Sequence, residues 1–198
     1  MAQGAAAAVE SRERVLLGTF ECIARVGIGK TTMEDAARAS GVSRATVYRL
    51  FPGGREELLR ETVAWEMARF FAQLGIGLGP TPDFETFLER ALPLAREQVL
   101  EHAVLQKVLE TEPERLMPLI TVEQHHVISY IAEYFLPLLE RDRDAGLFVG
   151  GADLAACAEY IARMALSLIA SPGRHDLEDP DEVRRLVRRE LLGGVLLQ

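Results

Sequence analysis

The chain has 198 residues, 48% of them hydrophobic, enough to bury a sizeable core in one domain or in two small ones. Its net charge of −8 is divided unevenly: residues 1–60 carry nine Lys/Arg against seven Asp/Glu, and residues 61–198 thirteen against twenty-three. The acidic body would repel phosphate, so any nucleic-acid contact is expected in the first third.

Hydrophobic spacing near 3.6 residues is almost continuous and no alternating strand pattern stands out, so the expected fold class is all-α with about nine helices. Residues 1–8, rich in alanine, are expected to form a disordered tail. The first helix is expected over residues 9–26, with Val15, Leu16, Phe20 and Ile23 on one face and Gly27 and Gly29 ending it. Two short helices follow around Gly41.

A fourth helix is expected from Arg55, with Leu59, Val63, Met67, Phe70 and Leu74 on one stripe, ending at the Gly/Pro-rich GIGLGPTP. That loop reads as a connector, with an entrance or hinge as the alternative. Asp83 is placed to cap the next helix, in which Pro93 would cause a kink. Helices over about 102–110 and 114–141 follow. Asp153 then opens a helix to about residue 171, and a last one covers about 181–192.

The segment TTMEDAARASGVSRATVYRLF, residues 31–51, has what two short helices crossing at a steep angle need. Ala37 is small, Gly41 tolerates unusual backbone angles, and Val42, Val47 and Phe51 can hold the second helix against the first. Ser43 stands at an N-cap position. Thr31 or Thr32 caps the preceding helix, and Glu34 and Asp35 in its first turn suit the helix dipole. Arg44, Thr46, Tyr48 and Arg49 are left facing out. A plain corner in a helical bundle would share the glycine, but not the exposed side chains and the basic bias of the same segment.

The order Thr pair, Ala, Gly-Val-Ser, Thr-x-Tyr, Phe and a basic residue before Glu-Glu-Leu, in TTMEDAARASGVSRATVYRLFPGGREELL (residues 31–59), resembles the tetracycline-repressor (TetR) family of bacterial transcription regulators. The resemblance is confined to about residues 10–60. It implies a nine-helix subunit with an N-terminal three-helix helix-turn-helix domain over residues 9–54. A helical effector-binding and dimerisation domain would cover residues 55–198. It also implies a homodimer on a double-stranded DNA operator, of inverted-repeat form, and repression relieved by a small molecule. The DNA-binding residues would be Thr31, Thr32, Ser43, Arg44, Ala45, Thr46, Tyr48, Arg49 and Arg55. Of these, Arg44, Ala45 and Thr46 would reach base edges, and Thr32, Tyr48, Arg49 and Arg55 would hold phosphates. For Arg49 the alternative is an ion pair within the chain. The family often has a lysine at the start of the fourth helix; here Gly53 and Gly54 precede Arg55.

The dimer helices would be those over 153–171 and 181–192, with Leu154, Ala158, Ile161, Ala165, Leu168, Val183, Val187 and Leu191 at the interface. Trp65, Phe70, Phe87, Met117, His126 and Tyr130 are candidates for the wall of an effector cavity that prefers an apolar molecule, ordinary core packing being the alternative. Glu123 and His126 form half of a di-iron motif, but no second Glu-x-x-His exists, so no metal site is expected. No phosphate-binding glycine loop or Gly-x-Ser-x-Gly is present, and neither enzymatic activity nor a cofactor is expected.

Cys22 and Cys157 fit neither a disulfide framework nor a zinc site; a buried apolar role is expected for Cys22. No signal peptide or membrane span is expected, and the cytoplasm is the expected location. The rival readings are an all-helical small-molecule carrier or enzyme with a vestigial helix-turn-helix, and a protein-interaction module using the same exposed helix.

Overall fold

The computed structural model describes residues 2–148 and 153–193, with the side chains of residues 2–7 and 120–126 outside that description. Nine α-helices run in chain order among these residues: α1 Ala2–Val26, α2 Met33–Ser40, α3 Arg44–Leu50, α4 Gly54–Leu78, α5 Phe84–Glu101, α6 Ala103–Thr111, α7 Pro113–Asp144, α8 Leu154–Ala170 and α9 Pro180–Leu186. The last continues without a break as a π-helical segment, Val187–Leu192, and no strand occurs among the described residues. The fold is all-α. Helix α1 begins at Ala2, taking in the alanine-rich opening expected to be a tail; alanine is the strongest helix former. None of the described helices is long and apolar enough to cross a membrane.

Two compact units result: residues 1–70 with 103–124, and residues 71–102 with 125–198. The first extends beyond the 9–54 segment marked out by the sequence, for a physical reason. Leu58 of α4 is buried in the three-helix core with Val15, Leu16, Met33, Ala36, Val47 and Phe51. Leu59 joins a second cluster with Ile23, Ile28, Val108 and Leu116, so α6 and the start of α7 cover the end of α1. Each of these Val, Leu, Ile, Met and Phe side chains contributes about 1.5–3 kcal/mol on burial.

Polar ties reinforce that cover. Lys107 Nζ donates to the Ala24 carbonyl (2.8 Å) at the C-terminus of α1, where a cation also suits the dipole. Glu112 Oε2 accepts from the Gly29 N–H at 2.6 Å. Gly27 has φ +88°, and a Cβ there would lie 1.8 Å from Glu112 Oε1. The turn therefore needs glycine both for its backbone and for the carboxylate that enters it.

In the second unit Phe84, Phe87 and Phe135 form an aromatic cluster with centroids 5.2–5.9 Å apart. Buried Asp142 at the end of α7 accepts from the Phe84 N–H (2.5 Å) and pairs with Arg141, while Asp83 caps α5 by accepting from the Thr86 N–H (2.6 Å). Helix α5 continues through Pro93. Its Arg96 donates to the carbonyls of Ile169 and Ala170, satisfying the end of α8. Asp153 caps α8 as expected.

The residues expected at a dimer interface require correction. Leu154, Ala158, Ile161, Ala165, Leu168, Val183, Val187 and Leu191 are all 8% exposed or less within the single chain. Their stripes fill the subunit's own core, because a helix in a two-layer packing turns its most apolar face inward. Solvent meets the opposite face of α8, with Ala155, Ala156, Glu159, Tyr160 and Arg163, and the Arg185 and Arg189 side of the last helix.

Candidate nucleic-acid interface

Helix α2 starts with a capping box: Thr32 Oγ1 accepts from the Asp35 N–H (3.1 Å) and donates to Asp35 Oδ2 (2.7 Å), which also accepts from the Thr32 N–H (3.3 Å). The Thr32 hydroxyl, the largest cause, holds the Asp35 carboxyl below the usual carboxylate range. Helix α2 ends at Gly41, whose φ of +67° is the left-handed value; open space surrounds its Cα, so the glycine serves the backbone alone. Ser43 then caps α3, accepting from the Thr46 N–H at 3.2 Å.

The seven residues of α3 divide by face. Val42, Val47 and Phe51 are buried in the core formed with α1 and α4, whereas Ser43, Arg44, Ala45, Tyr48 and Arg49 are exposed and Thr46 is half-buried. Arg12 of α1 secures the far end, where its Nη1 donates to the Leu50 carbonyl (2.8 Å), its guanidinium lies 4.6 Å from the Phe51 ring centroid, and Glu61 pairs with it. At the other contact α1 approaches α2 through Gly18, where a Cβ would stand 2.9 Å from Ser40 N. Close approach and a clamped C-terminus set the tilt at which α3 is held out.

Neither Arg44 nor Arg49 has a hydrogen bond or ion pair among the described residues, so the ion pair considered for Arg49 does not form there. Tyr48 Oη donates to Glu34 Oε1 at 3.3 Å, a weak contact a phosphate could displace. Thr32 is exposed. Thr31 is 1% exposed and its hydroxyl donates to the Gly27 carbonyl (2.7 Å), so its side chain supports the turn instead of facing solvent. Arg55 donates from Nε to the Thr31 carbonyl (2.7 Å) and from Nη2 to Ile28 (2.5 Å), holding the loop that carries Thr32. Lys30 is exposed beside the threonine pair, a cation the sequence reading passed over although its charge and position were visible. Arg12, Gly18, Lys107 and Glu112 are not singled out by the sequence, since the partners described above lie 21 to 85 residues away.

The second unit encloses a cavity of about 310 Å³ lined by residues of α4, α5, α7 and α8, among them Phe71, Leu74, Phe87, Leu92, Tyr130 and Tyr134. Of the expected wall residues, Phe87 and Tyr130 take part. Trp65 packs against the three-helix core with Arg69 4.7 Å from its ring, Phe70 is half-buried in the first unit, and Met117 is exposed. None of these three lines the cavity. His126, with Glu123, lies outside the described side chains.

Residues 15–62 match the family model described as bacterial regulatory proteins, tetR family. The fold extends the likeness over nearly the whole chain. The TetR-family repressor AlkX from a Dietzia strain, implicated in biodegradation of n-alkanes, superposes with a TM-score of 0.67 at 22% identity, covering 92% of this chain and 98% of its own. The R. erythropolis transcriptional repressor QsdR gives 0.63 at 20%, covering 92% and 94%. A TetR-family transcriptional regulator from Pectobacterium atrosepticum gives 0.62 at 20%, covering 98% and 97%. Residues 15–62 thus carry a segment of tetR-family type, and the rest of the chain shares the fold of these regulators. No curated protein matches. The matched segment runs from Val15 of α1 to Thr62 of α4, which includes every residue placed on the exposed face of α3.

Proposed function

We propose that the protein is a ligand-responsive transcriptional repressor that binds an inverted-repeat operator as a homodimer in the cytoplasm. The observation that carries this reading is that Arg44 and Arg49 are exposed and without a partner among the described residues, on a short helix capped by Ser43 and held at its C-terminus by Arg12. Two exposed guanidiniums on one short helix are available to a polyanion, and the acidic remainder of the chain steers DNA toward this end.

In this reading Arg44 grips guanine O6 and N7, Ala45 and Thr46 offer methyl groups to thymine, and Ser43 caps the helix that carries them. Thr32, Lys30, Tyr48 and Arg49 hold phosphates, while Thr31 and Arg55 position the loop. Two copies of α3, one per protomer, would enter successive major grooves roughly 34–36 Å apart. The partner would meet the exposed side of α8 and of the last helix. A molecule in the cavity that favours a subunit arrangement with different spacing would lower operator affinity by roughly 5–150-fold through a coupling of ~1–3 kcal/mol.

The test is selection of bound fragments from the native genome, followed by titration of one such duplex at several salt concentrations. A regulator shows a steep negative dependence of affinity on salt, and Arg44→Ala removes sequence preference while leaving the fold intact. Retained selectivity in Arg44→Ala rejects the readout. A carrier or enzyme with a vestigial helix-turn-helix, the reading favoured by the cavity alone, would bind small molecules with no salt-dependent DNA association.

A further inference from the structure

We infer that the cavity of the second unit takes an uncharged, mostly apolar molecule of about ten non-hydrogen atoms that carries one oxygen acceptor, recognised by the phenols of Tyr130 and Tyr134. This rests on the reading of that cavity as the effector site and names the chemistry of its ligand. Size comes from the volume: about 310 Å³ is some ten times the ~30 Å³ that a water occupies in the liquid.

Polarity comes from the wall. Among its described lining residues none is Lys, Arg, His, Asp or Glu, and the side-chain polar atoms they contribute are the hydroxyls of Tyr130 and Tyr134. These two residues stand one turn apart on α7, where side chains four positions apart share a face. Neither hydroxyl has a protein partner among the described residues, and both side chains are about half exposed, so water reaches them. Their rings are held by Phe71 (6.2 Å from Tyr130) and Phe87 (5.8 Å from Tyr134). Gly75 of α4 faces the Tyr134 hydroxyl, which would lie 3.7 Å from a Cβ at that position, so the phenol sits against backbone where a side chain would otherwise stand.

An acceptor on the ligand can therefore replace water at a pre-positioned O–H while its alkyl or aryl part covers Leu74, Leu92 and the phenylalanines. A carboxylate is disfavoured, because nothing charged in the described wall compensates its desolvation. The nearest candidate on α5, Arg96, is occupied by the carbonyls of Ile169 and Ala170 and does not line the cavity.

The test uses three probes of matched size, 2-nonanone, nonane and octanoate, titrated at pH 8 into the full-length protein and into a Tyr130→Phe/Tyr134→Phe double variant, with circular dichroism to confirm folding. The expected result is that 2-nonanone binds at least about tenfold more tightly than octanoate. The double variant should lose about tenfold in 2-nonanone affinity with nonane unchanged, as removal of a hydrogen bond of ordinary strength requires. Octanoate binding as tightly as the ketone, a double variant with undiminished ketone affinity, or no binding of either neutral probe overturns the inference. A parallel titration against a selected genomic duplex separates the two readings: ketone binding without DNA release supports the ligand class and rejects the regulatory role. Release by octanoate without ketone binding does the reverse.

Discussion

Gly18 offers the sharpest test of how α3 is held. In an exposed helix interior, Gly→Ala stabilises by roughly 0.5–1 kcal/mol because alanine gives up less backbone freedom on folding. At position 18 the added methyl would stand 2.9 Å from Ser40 N, 3.1 Å from Ala39 Cβ and 3.2 Å from Ala39 C, two of which are backbone atoms of α2. Backbone cannot rotate away, so α2 must shift, and overpacking of this kind costs about 1–3 kcal/mol. The second effect wins. Gly18→Ala should lose roughly 0.5–2 kcal/mol net, and the displaced helix pair should weaken operator binding beyond the change in folded population. Urea unfolding followed by circular dichroism reads the first quantity, and duplex titration under conditions where the variant is fully folded reads the second. A Gly18→Ala protein as stable as the parent, with unchanged DNA affinity, would refute the argument that close approach of α1 and α2 sets the tilt of α3.

Gly41→Ala acts through a different cause: with nothing within 4 Å of the Cβ position, only the left-handed φ of +67° is penalised, by about 1–2 kcal/mol in thermal or urea unfolding, and Gly41→Asn should recover part of that loss. Arg49→Ala should weaken binding to specific and unrelated duplexes by similar factors and reduce the salt slope by about one, in contrast to the selectivity loss of Arg44→Ala. Asp35 and Asp83 have carboxyls held below the ordinary range, chiefly by the Thr32 hydroxyl and the Thr86 N–H respectively. Since the folded chain binds these protons less readily than the unfolded one, their contribution is complete above the unfolded value of about 3.9 and is lost as pH falls through the lower folded values. Acid titration of Asp35→Asn and Asp83→Asn should therefore show flatter stability profiles below pH ~4 than the parent. Burial, the leading cause, raises the thiols of Cys22 and Cys157, so both should resist alkylation at pH 8 until denaturant is added; rapid labelling of the native chain would contradict their placement.

What could be read directly from the sequence was set by neighbours along the chain. The Thr32 box, the Gly41 corner, the Ser43 cap and the inward Val42, Val47 and Phe51 all act within a few residues, and the TetR family resemblance rests on the same stretch. Periodicity marks an apolar stripe but is silent on what covers it. The resemblance puts Leu154, Ile161 and Val187 at a partner interface, whereas their own subunit encloses them. The cavity was half legible: Phe87 and Tyr130 were singled out by residue type, but Tyr134 and Phe71 reach it through helix packing that no local pattern encodes. Arg55 looked like a phosphate ligand from its charge, while its position against the Ile28 and Thr31 carbonyls depends on the fold of a loop some 25 residues earlier.

The cover laid over the end of α1 by Val108, Leu116, Lys107 and Glu112 bears on how such a reading head can be exchanged between proteins. A single crossover after residue 54 would hand a recipient α3 but leave Ile23 and Ile28 without their lid and the Gly27–Gly29 bend without its carboxylate. A hybrid that keeps the donor's specificity must inherit two stretches, 1–70 and 103–124, together. Shuffling by one joint is thereby discouraged, and on the proposed reading new operator preferences are more readily reached by point changes on the outer side of α3.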